Sequence, residues 1–420
     1  MTSMVSRLLR STVWLSLFLT VSSHAAPVKI GLIHPTTGRY QHMGFDMAQG
    51  AILAVEEINR DGGILGQPIE LLTANTASHP EQGQQAVRSL IQQGATFTMG
   101  AAASDVAIAA GKTAAKQDRL FFAALSYANE TTGVDGHRHI FRETTNSWMT
   151  AKALSFYLGQ KLKDQRIFYV TADYSWGRSL ESSIRKFTDT KDTQTHRSVL
   201  TSYPRPRHSE LQSALQQAAA SDADILMLSL LGGDMVSALQ LAHNMGLKDK
   251  MEIVVPNLTQ SMANDAGPSI MEGIVGTVPW YWQVPYQFGH PRGQAFVEAY
   301  LTRFDEYPDS PAASAYSILY QIREAAERAG SFNTDAMIQA LEGHHYMLLK
   351  DPQHWRQFDH QNVQSTYVVR AKARDEVMRS ERRGDLLDIL LTLPGNMGAR
   401  SYEEWSEARS LAGKTASLEH

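Results

Sequence analysis

The 420-residue chain has no cysteine. That absence excludes disulfide staples and a lipid-anchored cysteine terminus. It also lacks an excess of basic charge: 39 Lys and Arg against 43 Asp and Glu give a formal net charge of −4. With no long basic run, nucleic-acid binding is excluded as a reading. Beyond the first 25 residues no apolar stretch approaches the length of a membrane span. HExxH, GxSxG and GxGxxG are all missing. Gly111-Lys112-Thr113 resembles the end of a phosphate loop, but the leading glycine it requires is Val106. The histidines are scattered, and His344-His345 has no third ligand at recognisable spacing. The sequence thus calls for no enzyme activity, metal or cofactor.

What is present begins with a leader. Arg7 and Arg10 precede a ten-residue apolar core, Thr12 to Val21, too short to cross a bilayer. Ser23-His24-Ala25 then places small residues for cleavage after Ala25. The expectation is a cleaved signal peptide over 1–25 and a soluble periplasmic protein; the alternative is an uncleaved anchor. Removing the leader leaves roughly 395 residues and a charge of −6, since its two arginines are lost. A chain of that size buries enough core to fold without disulfides.

Behind the leader, VKIGLIHPTTGRYQHMGFDMAQGAILAVEEINRDGGILG (28–66) predicts a buried strand, a Pro/Thr/Gly loop and a helix over about 44–59. Ile52, Val55 and Ile58 propose its apolar stripe, and Asp61-Gly62-Gly63 ends it. A loop at the carboxyl end of a parallel strand is where α/β sheets take small ligands. Further strands are expected at 68–74, 96–100, 119–125, 166–172, 223–230, 251–257 and 273–280, with helical patterns between them. This alternation predicts an α/β fold of two doubly wound parallel sheets. HIFRETTNSWM (139–149) reads as the seam, and the rhythm is lost after Ala371.

An ordered set of segments carries a resemblance: GGILGQPIELL, MGAAASDVAIAA, FFAALSYANET, HIFRETTNS, TADYSWGRSLE, LSLLGGDMVSALQLAHNMGL, VVPNLTQ and VPWYWQ, with DLLDILLTLPG (385–395) near the end. Together they resemble the type I periplasmic solute-binding proteins of ABC importers, in the leucine/isoleucine/valine-binding branch. The resemblance implies two lobes joined by three crossovers near Arg142, Pro279 and Asn362. Lobe 1 would be 26–142 plus 280–362 and lobe 2 143–279 plus 363–372, with strand STYVVRA (365–371) restored to lobe 2. Residues 373–420 would form a C-terminal extension. It also implies a monomer that closes on a small organic ligand and delivers it to permease subunits in the inner membrane. A periplasmic sensor subunit serving a membrane kinase, or a conventional branched-chain amino acid binder, remains an alternative.

The resemblance nominates Tyr40, Met43, Ser104, Leu125, Ser126, Tyr127, Trp176, Leu231 and Asn257 as ligand-binding. Ser104 matches a carboxylate-binding serine; its other reading is a plain N-cap. Leu125-Ser126-Tyr127 matches a ligand-binding segment in which tyrosine replaces the family's threonine, and Ser126 could take over that role. Trp176 stands at a tyrosine that packs over the ligand, and PWYWQ (279–283) adds flat surface beside a hinge. Met43 replaces a tryptophan, for which Tyr40 could compensate. Asn257 replaces the carboxylate that pairs with an amino acid's ammonium. An amide cannot neutralise that charge, so an aromatic or branched aliphatic carboxylate is expected instead. Asp234 could substitute for that carboxylate, or cap the helix it begins. The charged run RDEVMRSERRGD (374–385) reads as solvated face or docking surface.

Overall fold

A computed structural model describes residues 25–159, 165–382 and 384–418. The leader lies outside these residues, except Ala25. No helix among the described residues is long and apolar enough to cross a membrane.

Two sheets organise the chain. The first contains β1 (Val28–His34), β2 (Ile69–Asn75), β3 (Phe97–Gly100), β4 (Phe121–Ala123) and β5 (Ile140–Arg142), in the order β2-β1-β3-β4-β5 and all parallel. The second contains β6 (Ile167–Ala172), β7 (Ser198–Thr201), β8 (Ile225–Ser229), β9 (Glu252–Val255) and β10 (Val275–Val278). A three-stranded sheet of β11 (His345–Tyr346), β12 (Gln353–Trp355) and β13 (Asn362–Val363) follows, and then β14 (Thr366–Ala371) and β15 (Leu387–Leu393). The second sheet runs β15-β14-β10-β9-β8-β6-β7, with β14 antiparallel to β10 and β15 antiparallel to β14. Central strands are buried on both faces, as helix-covered parallel sheets require: every residue of Ile167–Ala172 and Ile225–Ser229 is buried.

The chain passes between the sheets three times, after Arg142, after Val278 and between Val363 and Thr366. The fold is therefore two α/β lobes with three crossovers. The segment after Ala371 is not a detached extension. Leu387–Leu393 closes the edge of the second sheet. Helix Tyr402–Leu411 returns to the first lobe, where Trp405 Nε1 donates to the Thr132 carbonyl at 2.9 Å and Arg409 to the Gly133 carbonyl at 2.6 Å.

The first helix spans Gln41–Arg60, three residues longer at its start than its pattern suggested. Its buried face is Met43, Met47, Ala51, Ala54 and Ile58; Ile52 is exposed. The expected Ile52–Val55–Ile58 stripe therefore does not form, because six residues carry the chain roughly 120° off register around a helix. The buried face packs on helix Ser310–Ala329 closely enough that a Cβ on Gly50 would lie 2.1 Å from the Ala312 carbonyl oxygen.

Candidate functional site

In an open α/β sheet the strand order reverses at one point, and the loops leaving the carboxyl ends there diverge to form a crevice. In the first sheet this lies between β1 and β3. Tyr40 and Met43 follow the first strand, Ser104 follows the second, and Leu125–Tyr127 leave neighbouring β4. In the second sheet the reversal lies between β6 and β8. Trp176 follows one and Leu231 the other, while Asn257 leaves neighbouring β9. All nine nominated residues thus sit at carboxyl strand ends around the two switch points.

The lobes meet across these ends. Gly233 N donates to the Arg39 carbonyl at 3.1 Å. Arg39 Nε faces Asp234 Oδ1 at 3.1 Å, off the line of a hydrogen bond. The Tyr203 hydroxyl donates to the Ser78 carbonyl at 3.2 Å, and Asn129 N to Ser179 Oγ at 2.9 Å. Tyr203 stacks on Tyr174 with ring centroids 3.9 Å apart, and lies tilted against Tyr40 of the first lobe at 6.2 Å. Gly232 makes the approach possible. Its φ is +58°, and a Cβ there would lie 2.5 Å from the Arg39 carbonyl oxygen.

The nominated residues divide by their own hydrogen bonds. Ser104 is the first residue inside helix Ser104–Ala115, not its cap, which is Ala103. Its hydroxyl accepts from Ala128 N at 3.0 Å, keeping its proton to donate elsewhere. Ser126 is engaged with the Thr131 hydroxyl at 2.6 Å, which weakens its case as a replacement ligand group. Tyr127 is 2% exposed, and burial pushes its phenol up, so it remains a neutral donor. Asp234 neither caps its helix, whose N-cap is Leu231, nor stands free for an ammonium. It answers Arg39 across the lobes, and burial pushes its carboxyl up to about 7. Trp282 Nε1 donates to the Gly384 carbonyl at 3.1 Å and its ring stacks on Tyr307, a structural role.

Among the buried polar groups of the second lobe with no hydrogen-bond partner among the described residues are Trp176 Nε1, Ser229 Oγ and both amide atoms of Asn257. Their residues are 1%, 0% and 2% exposed. They leave the ends of β6, β8 and β9, which are adjacent strands. Buried polar groups are nearly always satisfied, so three orphans at adjacent strand ends ask for an outside partner. A cavity of about 190 Å³ lies between the lobes, lined by Arg39, Met43, Gly232, Gly233, Met262 and Asp265, and none of the three residues Trp176, Ser229 and Asn257 lines it.

The crossovers carry a feature that local sequence did not signal. Buried Lys350 donates to the Pro279 carbonyl at 2.5 Å and the Ser365 carbonyl at 3.2 Å, tying the second crossover to the third. Glu143, on the first, lies against Ser314, Lys350 and Gln364, and its backbone carbonyl accepts from Gln364 Nε2. Burial pushes Glu143 up to about 7 and Lys350 down to about 8.

Two doubly wound lobes meeting at their switch points, with unpaired polar groups in the crevice, define a two-lobed solute-binding protein. The chain belongs to the periplasmic binding protein family, whose model matches residues 27–376. Among curated relatives it is 30% identical over 182 residues to the Leu/Ile/Val-binding protein BraC3 of Rhizobium johnstonii, covering 43% of this chain and 49% of that protein. That match spans about half of the relative's length. It is 25% identical over 328 residues to Leu/Ile/Val-binding protein homolog 7 of Brucella melitensis, covering 76% and 81%. A periplasmic binding protein from Burkholderia mallei has a similar structure, with a TM-score of 0.80 and 22% identity over 90% of this chain and 97% of that one. So has a solute-binding protein of an ABC transporter from Rhodopseudomonas palustris, solved with 3,4-dihydroxybenzoic acid (TM-score 0.75, 16% identity, 88% and 98% covered). The family is one of binding proteins, not of enzymes.

Proposed function

We propose that this protein is exported by its leader and captures a small organic acid, aromatic or branched aliphatic, between its lobes for an ABC importer. The observation that carries the ligand class is Asn257, whose amide is buried without a partner among the described residues, at the position where the family resemblance implies an ammonium-binding carboxylate. An ionic ammonium buried against an amide would be uncompensated by several kcal/mol. A neutral polar substituent or ring edge suits Asn257 and Trp176. Ser104 and Tyr127 on the first lobe supply donors to the carboxylate. Ligand touching both lobes favours the closed arrangement, and free energy for closure comes from that difference alone.

Calorimetric titration of the mature protein tests the reading. Aromatic or branched aliphatic carboxylates are expected to bind in preference to leucine, isoleucine and valine. Micromolar leucine binding with the acids inert would overturn it and make the protein a conventional branched-chain amino acid binder, as the relatives' names suggest.

A further inference from the structure

A second interlobe space, of about 800 Å³, is lined by none of the nine nominated residues. Asp46 reaches it from the first lobe's opening helix, and Asp305, Glu306 and Asp309 from the turn before helix Ser310–Ala329. Asp265 and Gln260 come from second-lobe helix Gln260–Ala266, and Glu381 from the C-terminal segment. Six carboxyl groups therefore surround one space, and among the described residues its lining includes no lysine or arginine. His42 is the one histidine among those lining residues, 3.6 Å from Asp265.

Charge alone would describe a solvated acidic surface. The hydrogen bonds show more. Asp309 is accounted for, accepting from Ser310 N at 2.6 Å and from Ser261 N at 3.0 Å. Gln260 is 5% exposed, yet its Oε1 has no partner among the described residues. The same is true of the buried Asp46 Oδ2. Gln260 Oε1 is an acceptor, and so is Asp46 Oδ2 when its carboxyl is ionised. Burial and the charges of Asp309, Glu306 and Asp265 push the Asp46 carboxyl well above its usual range, so its ionised form calls for added positive charge. Among the described residues no group of three or more His, Asp or Glu is placed to hold a metal ion. The missing complement is a donor-bearing cation too large for a point site, and the volume falls within the range of small-molecule pockets.

We infer that the cavity between Asp46 and Gln260 is a second binding site, for an organic cation carrying primary ammonium or guanidinium groups. The cation bridges the lobes, because Asp46 belongs to one and Gln260 and Asp265 to the other. Its occupancy therefore favours the same closed arrangement as the acid, and the two ligands bind with positive coupling.

The test uses 1,4-diaminobutane as probe on the mature protein, with no organic acid added, so that failure of the acid reading leaves it untouched. Thermal shift and calorimetry are run at fixed ionic strength, with potassium chloride and butylamine as controls. The expected result is a saturable midpoint rise with the diamine, absent with potassium chloride and smaller with butylamine. Asp46→Asn weakens diamine affinity at least tenfold. Should Asp46→Asn fold poorly, Asp265→Asn, at an exposed carboxylate, carries the same expectation with a smaller loss. No saturable shift, or an equal shift in both variants and with potassium chloride, overturns the inference.

Discussion

Replacing Asn257 with leucine (Asn257→Leu) is expected to stabilise the unliganded protein while abolishing its binding. The residue is 2% exposed and neither amide atom has a partner among the described residues, so the fold bears a buried, unsatisfied amide. Such a group costs about 1–3 kcal/mol. Leucine keeps the four-atom branched shape of the side chain with no polar atom, although its methyl groups are bulkier than the amide's atoms and offset part of the gain. The variant should therefore gain at most about 1–3 kcal/mol in urea unfolding, at roughly 2–4 °C of midpoint per kcal/mol for lobes of this size. Binding of the acid should fall at least tenfold, since a hydrogen bond and its geometry are lost together. Stability and binding move in opposite directions only if the amide is held for a ligand. A variant that loses more than 1 kcal/mol would show that Asn257 serves the fold, and one with unchanged affinity would remove it from the site.

Gly232→Ala places a methyl 2.5 Å from the Arg39 carbonyl oxygen at a φ of +58°. The left-handed backbone costs about 1–2 kcal/mol for a non-glycine residue. The overlap adds a cost borne only when the lobes meet, so calorimetry should show affinity down roughly tenfold, and unchanged affinity would contradict the lobe contact. Glu143 is a buried carboxyl pushed up to about 7 from an ordinary value of 4.5. Its folded form holds a proton that the unfolded chain releases, so its penalty is absent below about 4.5 and grows until about 7. Denaturant unfolding should show stability falling across that window by at most about 3 kcal/mol, and Glu143→Gln should flatten the fall. A parallel pH profile in the variant would refute this.

The lobes were legible because their central strands are buried on both faces and write themselves as apolar runs. Ser198–Thr201 was not, since its edge position leaves Ser198 and Leu200 exposed and its sequence polar. The two- and three-residue strands of the small sheet are too short to show any period. Leu387–Leu393, read as a tail, joins the second sheet through pairing that its own residues do not announce. In the crevice, Ser104, Trp176 and Asn257 could be nominated because each follows a recognisable strand end. Arg39, Tyr174 and Tyr203 could not. Their role exists only across the lobe contact, between segments more than a hundred residues apart, where no local pattern reaches. Lys350 was hidden for the same reason: a lysine in a loop reads as solvated until three crossovers close around it.

Small-angle scattering of the mature protein, with and without the tightest-binding acid from a carboxylate and amino acid panel, tests the central claim most directly. Capture by lobe closure predicts a smaller radius of gyration at saturating acid, with the contraction lost in Asn257→Leu. Calorimetric binding with an unchanged radius of gyration, or an equal contraction in Asn257→Leu, would contradict it.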